Sequence, residues 1–133
     1  MGVFSAMGIS ASGLRAERVR MDVIAANIAN AETTRTAEGG PYRRRQVILQ
    51  SLSQPGARAA VQVMTVEPAP DAPVRVHIPG HPDADAEGYV LMPDIELPLE
   101  MADLMVAARA YEANAAAFRA GRELIRQALS ILA

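Results

Sequence analysis

LPLEMADLMVAARAYEANAAAFRAGRELIRQALSIL, the run from Leu97 to Leu132, sets Leu97, Leu104, Tyr111, Phe118, Ile125 and Leu132 seven residues apart. Met101, Ala108, Ala115, Arg122 and Leu129 interleave with them at alternating steps of four and three, the spacing of a helix seam. Pro98 fits the first turn, where its missing N–H costs nothing. Glu96, Glu100 and Asp103 crowd the N-terminal end, and Arg119, Arg122 and Arg126 lie toward the C-terminal end. That polarity suits the helix dipole. Gly121 reads as a weak point, costing about 1 kcal/mol relative to Ala.

The start of the chain repeats the design. Met7, Leu14, Met21 and Ile28 recur every seven residues, with Ala11, Arg18 and Ala25 between them. This predicts a helix from about Ser5, capped there or at Ser10, to Asn30. Val19, Val23 and Ile24 widen the stripe. A helix apolar on more than one side is buried on more than one side.

Between the two helices, Pro and Gly punctuate short alternating runs. Strands are predicted at Tyr42 to Leu52, Ala59 to Glu67, Pro73 to Pro79 and Tyr89 to Met92, with a turn at Pro55 and Gly56. The fold expected is α+β: long N- and C-terminal helices packed as a coiled-coil-like pair, with a small antiparallel β insert between them. Residues 1–35 and 94–133 form one discontinuous helical unit in this reading, and residues 36–93 the insert.

Half of the 133 residues are hydrophobic, but aromatics make up only 4%, so a core built by one copy alone is modest. Apolar stripes are then left for partners to cover. A net charge of −2, with arginine as the sole cation besides two histidines, speaks against a nucleic-acid binder. The chain has no cysteine, so neither disulfides nor thiol chemistry enter. Met1 to Leu14 lacks a basic region and a continuous apolar run, so no cleaved signal peptide is expected.

Chemistry-bearing patterns are few. Asp83, Asp85 and Glu87 followed by Gly88 occupy positions one, three, five and six of an EF-hand loop. This is the basis of an alternative reading, a calcium-binding regulatory or interaction module. Position twelve, however, is Asp94 in place of Glu, Pro82 and Pro93 interrupt the loop, and no helix leads in. The plainer reading is an acidic turn. His77 and His81 have helical metal spacing, but Pro79 and Gly80 between them exclude the helix. No Gly-x-Ser-x-Gly elbow and no phosphate loop is present, so no enzyme, catalytic residue, metal site, cofactor or small-molecule substrate is expected. Arg43, Arg44 and Arg45 form the one basic run, either a solvated strand start or a contact with an acidic surface. Asn30 fits a helix stop. Asn27, a turn earlier, fits a residue that fixes helix register, and Tyr111, Glu112 and Asn114 could do the same on the other helix.

Those segments carry a likeness. Ser12-Gly13-Leu14-Arg15-Ala16, Met21 to Asn30 and Thr33-Thr34 resemble the N-terminal motif of bacterial flagellar rod and hook proteins. Met101 to Phe118, with Arg109-Ala110-Tyr111-Glu112-Ala113-Asn114, resembles their C-terminal motif. Gly39-Gly40-Pro41-Tyr42-Arg43-Arg44 and His81 to Asp85 with Gly88-Tyr89-Val90 narrow the resemblance to proximal rod proteins of the basal body. Ala37 stands where that family often has Pro.

The resemblance implies a structural subunit whose terminal helices polymerise into a hollow, torque-transmitting shaft. It implies export by the flagellar type III apparatus and residence in a rod crossing the periplasm. The partners implied are copies of itself, other rod proteins and the adaptor joining rod to MS ring. The motif positions carried over are Asn27, Asn30, Tyr42, Arg43, Arg44, Arg109, Tyr111, Glu112 and Asn114. The assembly face is expected on the seams: Met7, Leu14, Met21, Ile24, Ile28, Leu97, Met101, Leu104, Tyr111, Phe118, Ile125 and Leu129.

Overall fold

The structure, a computed structural model, describes residues 2–53 and 59–132. The first helix, α1, is Val3–Ala29 and the last, α2, is Leu97–Leu132. Between them lie β1 (Arg45–Leu52), β2 (Ala60–Pro68), β3 (Val74–His77) and β4 (Tyr89–Met92). β1 pairs antiparallel with β2, and β3 with β4, giving two separate two-stranded sheets. The architecture is the α+β arrangement that the sequence predicts. The expected turn at Pro55 and Gly56 lies outside the described residues.

α1 is the central element. α2 packs along one side of it and the β1–β2 hairpin against another, which is why Val19, Val23 and Ile24 flank its stripe. Ser12 pins the hairpin to the helix. Its hydroxyl donates to the Ile9 carbonyl at 2.7 Å and accepts the Val61 N–H at 3.0 Å. An otherwise unpaired edge N–H of β2 is satisfied in this way.

α1 begins two residues before the expected Ser5, and its N-cap, Gly2, makes no side-chain cap hydrogen bond. In β1 the register slips between Ile48 and Leu49. The extra residue is Met64 of β2, which is left unpaired and exposed; on β1 Val47 and Ile48 are both half-buried and Leu49 is exposed, so the predicted alternation does not hold.

The α1-facing line of α2 is turned from the one drawn on the sequence. The large seam residues Leu104, Tyr111, Phe118 and Ile125 are half-buried as a set. Their partners on the line are Glu100, Ala107 and Gly121, all buried, and Asn114. Met101 and Leu129 lie off it and are 58% and 62% exposed. Leu97 and Leu132 are exposed as well, at the two ends. Backbone proximity explains the choice. A Cβ on Gly121 would lie 2.7 Å from Met7 Cγ, and one on Gly13 would lie 2.8 Å from Asn114 Oδ1. Gly121, a weak point by helix propensity, is where Met7 seats. The Asn114 amide is meanwhile held by its own bond to the Ala110 carbonyl at 2.9 Å.

A methyl at position 13 therefore drives into a fixed side chain. Gly13→Ala is expected to cost about 1–3 kcal/mol by overpacking, although alanine is the better helix former. A urea midpoint at or above that of the unaltered chain would show that α1 and α2 do not approach this closely.

Candidate functional site

Polar side chains at the base of the helix pair meet in a buried junction. Asn27 and Glu100 are each only 1% exposed. Asn27 sits in the last turn of α1, and Glu100 in the first turn of α2. The chain leaving α1 turns back through Tyr42 to Arg45 and brings β1 across both. The Asn27 amide uses its whole hydrogen-bonding inventory there. Nδ2 donates to the Arg45 carbonyl at 2.9 Å and to Glu100 Oε2 at 3.1 Å. Oδ1 accepts the Tyr42 hydroxyl at 3.0 Å and the Arg45 N–H at 2.9 Å.

Glu100 is held from the other side by Arg44, whose Nε donates to Oε1 at 2.6 Å. A buried carboxylate without such a partner is costly, and here both oxygens are bonded. Burial pushes the Tyr42 hydroxyl above its usual range. Arg45 opposes that shift and the Glu100 charge adds to it, so Tyr42 remains a donor. Asn30 caps the same helix end locally. Its Nδ2 donates to the Ala26 carbonyl at 2.8 Å and its Oδ1 accepts from Thr33 at 3.2 Å.

The structure thus brings Asn27, Tyr42, Arg44 and Glu100 together. Glu100 is the member the sequence reading placed only as a dipole-matching acid. Its buried role depends on a fold that carries Arg44 and Asn27 to it. Arg44 is drawn inward by Glu100, Arg43 reaches the Asp71 carbonyl at 3.2 Å, and Arg45 is exposed, so the basic run splits three ways. Arg109 and Glu112 are exposed on α2, while Tyr111 and Asn114 face α1. Ile24 is buried inside the chain, and Met7, Leu14, Met21 and Ile28 are half-buried.

The acidic loop does not converge on a cation. Asp83 accepts from Thr34 Oγ1 at 2.7 Å and pairs with Arg35. Asp85 and Glu87 both take Arg75 Nη2, each at 2.8 Å. Among the described residues no three metal-ligating side chains are grouped. Asp83 staples the loop between β3 and β4 to the segment after α1, while Asp85 and Glu87 tie that loop back to β3 through Arg75, so each carboxylate has a partner within the chain. Arg75 also lies over the Tyr89 ring, 4.3 Å from its centroid.

Asp83 is held below the usual carboxylate range chiefly by the Thr34 hydroxyl; burial opposes this next, and Arg35 and then His81 lower it further. Asp85 is lowered chiefly by the Tyr89 N–H, then by Arg75, again against burial, with the Glu87 N–H adding to the effect. A lowered folded-state value means the stabilisation is present above the unfolded carboxylate pKa, about 4, and is lost as pH falls through the folded value. Amide exchange at Glu87 and Tyr89 should therefore quicken as pH is lowered from about 4, after correction for intrinsic rates. Asp85→Asn should flatten that dependence; an unchanged profile in the variant counts against the staple.

A chain with two seam-bearing terminal helices, a stapled insert between them and large apolar side chains left in solvent is built as an assembly part. Its N-terminal residues 7–35 match the family model "Flagella basal body rod protein". Residues 86–131 match "Flagellar basal body rod FlgEFG protein C-terminal". The chain belongs to the flagellar basal-body rod protein family. It is 38% identical to the flagellar basal-body rod protein FlgC of Borreliella burgdorferi, over 99% of both chains. It is also 38% identical to FlgC of Bacillus subtilis, over 98% of this chain and 99% of that one. FlgC of Salmonella typhimurium is 35% identical over 98% of each.

Proposed function

We propose that the chain is a structural subunit of the bacterial flagellar basal-body rod, in its proximal part. It polymerises through its terminal helices into a hollow shaft that transmits torque. The observation that carries this reading is end-to-end likeness to FlgC proteins combined with unpaired apolar surface on α2. Met101, Met105, Val106, Leu124 and Leu129 are each more than half exposed. A chain left alone gains nothing from such surface; a neighbouring helix covers it.

In this reading the chain performs no catalysis. Its neighbours are copies of itself, other rod proteins and the adaptor to the MS ring. It reaches the periplasm through the flagellar type III apparatus. The buried junction serves by fixing the insert against the helix pair, so that load on one reaches the other.

An in-frame deletion in the source organism tests the reading. Swimming should be lost and rods should be missing or stopped near the inner membrane, with rescue by the intact gene. Met101→Asp and Leu129→Asp, at exposed positions, should leave the free chain as stable as before yet fail to rescue. Normal rods in the deletion strain would overturn the proposal.

A further inference from the structure

All the sulfur in this chain is thioether, since it has seven methionines and no cysteine. The methionines at described positions fall into two groups. Met7, Met21 and Met92 are half-buried. The Met7 sulfur lies 3.3 Å from where a Cβ on Gly121 would stand, so it is packed against α2. Met64, Met101 and Met105 are instead 65%, 58% and 58% exposed. Met101 and Met105 are four residues apart, so their side chains share one face of α2, a single turn from each other. Met64 stands apart from them, at the bulge in β2.

We propose that Met101 and Met105 form an oxidation site that decides whether the free subunit can assemble, with a hypohalous acid as the oxidant. Hypochlorous acid passes its oxygen to the thioether sulfur. The S–O bond forms and the O–Cl bond breaks; sulfur gives up two electrons, chlorine leaves as chloride and the proton goes to water. The product is a sulfoxide, a polar group in place of a flexible apolar one. On the free chain this costs little, because water reaches both positions. Under a neighbouring helix the new oxygen is buried without a donor, which is unfavourable. The site rests on the rod reading, in which a neighbour covers this face, and adds a chemical control to it. A subunit oxidised before assembly is refused, and one already covered is shielded. A methionine sulfoxide reductase restores the thioether.

Limiting hypochlorous acid added to the purified full chain, with sulfoxides mapped by peptide mass spectrometry, should oxidise Met101 and Met105 about 10-fold or more faster than Met7, since the reagent must reach the sulfur. Circular dichroism should not change at that stage. Met101→Gln combined with Met105→Gln sets a polar amide where the sulfoxides would be. That pair should melt as the unaltered chain does, yet fail to restore swimming to the deletion strain. Met101→Leu combined with Met105→Leu should restore it, as should Met64→Gln, whose position is exposed but off α2. Met7 oxidising as fast as Met101, a lowered melting temperature in the Gln pair, rescue by the Gln pair, or failure of the Leu pair or of Met64→Gln each overturns the oxidation site. Swimming by the deletion strain itself would overturn the rod reading instead.

Discussion

Asn27→Ala is expected to destabilise the chain by about 3–5 kcal/mol, since each buried group left without a partner costs about 1–3 and relaxation recovers part of the sum. The change removes four hydrogen bonds together: those to Tyr42, the Arg45 N–H, the Arg45 carbonyl and Glu100. No other residue in the turn can supply both a donor and an acceptor at that point. The Asn30→Ala control loses only a local cap and should cost about 1 kcal/mol. The loss should appear as a lower urea midpoint at unchanged slope. Asn27→Ala falling within 1 kcal/mol of the control would mean water fills the junction and the side chain is dispensable.

Arg44→Met is expected to be nearly as damaging, at about 3–5 kcal/mol, because it leaves Glu100 charged and buried. The double change Arg44→Met with Glu100→Met should recover much of that loss, as no uncompensated charge remains. Recovery will be incomplete, since the Asn27 Nδ2 proton aimed at Glu100 then lacks an acceptor. A double variant no better than the single one would show that the pair stabilises the fold by more than mutual compensation.

The contrast between the seams explains how far sequence carries. Leu104, Tyr111, Phe118 and Ile125 could be read from spacing because large apolar residues at heptad intervals leave few alternatives. Their companions could not. Met101 and Leu129 are bulkier and more apolar than Asn114 and Gly121, so hydrophobicity favours the wrong side of the line. The deciding fact is how closely α1 comes, which depends on Gly13 and Met7 about a hundred residues away in the chain. α2 also has more than one apolar stripe, and periodicity does not say which is packed within the chain. In the same way, the spacing of Asp83, Asp85 and Glu87 suggests a cation until Arg35 and Arg75 are seen beside them. Asn27 could be singled out as unusual from its place in the helix, but its partners lie in three other segments.

The bond from Asn27 to Glu100 spans 73 residues of chain. Loop closure of that length comes late in folding, after local helix and hairpin have formed. A chain emerging from its N-terminus has α1 and both hairpins available while the amide of Asn27 still lacks its carboxylate. The ordering predicts that substitutions at the junction chiefly speed unfolding and leave the folding rate nearly unchanged. The arrival of α2, the last element of the chain, then decides when this subunit becomes rigid, and until it arrives the junction stays pliable.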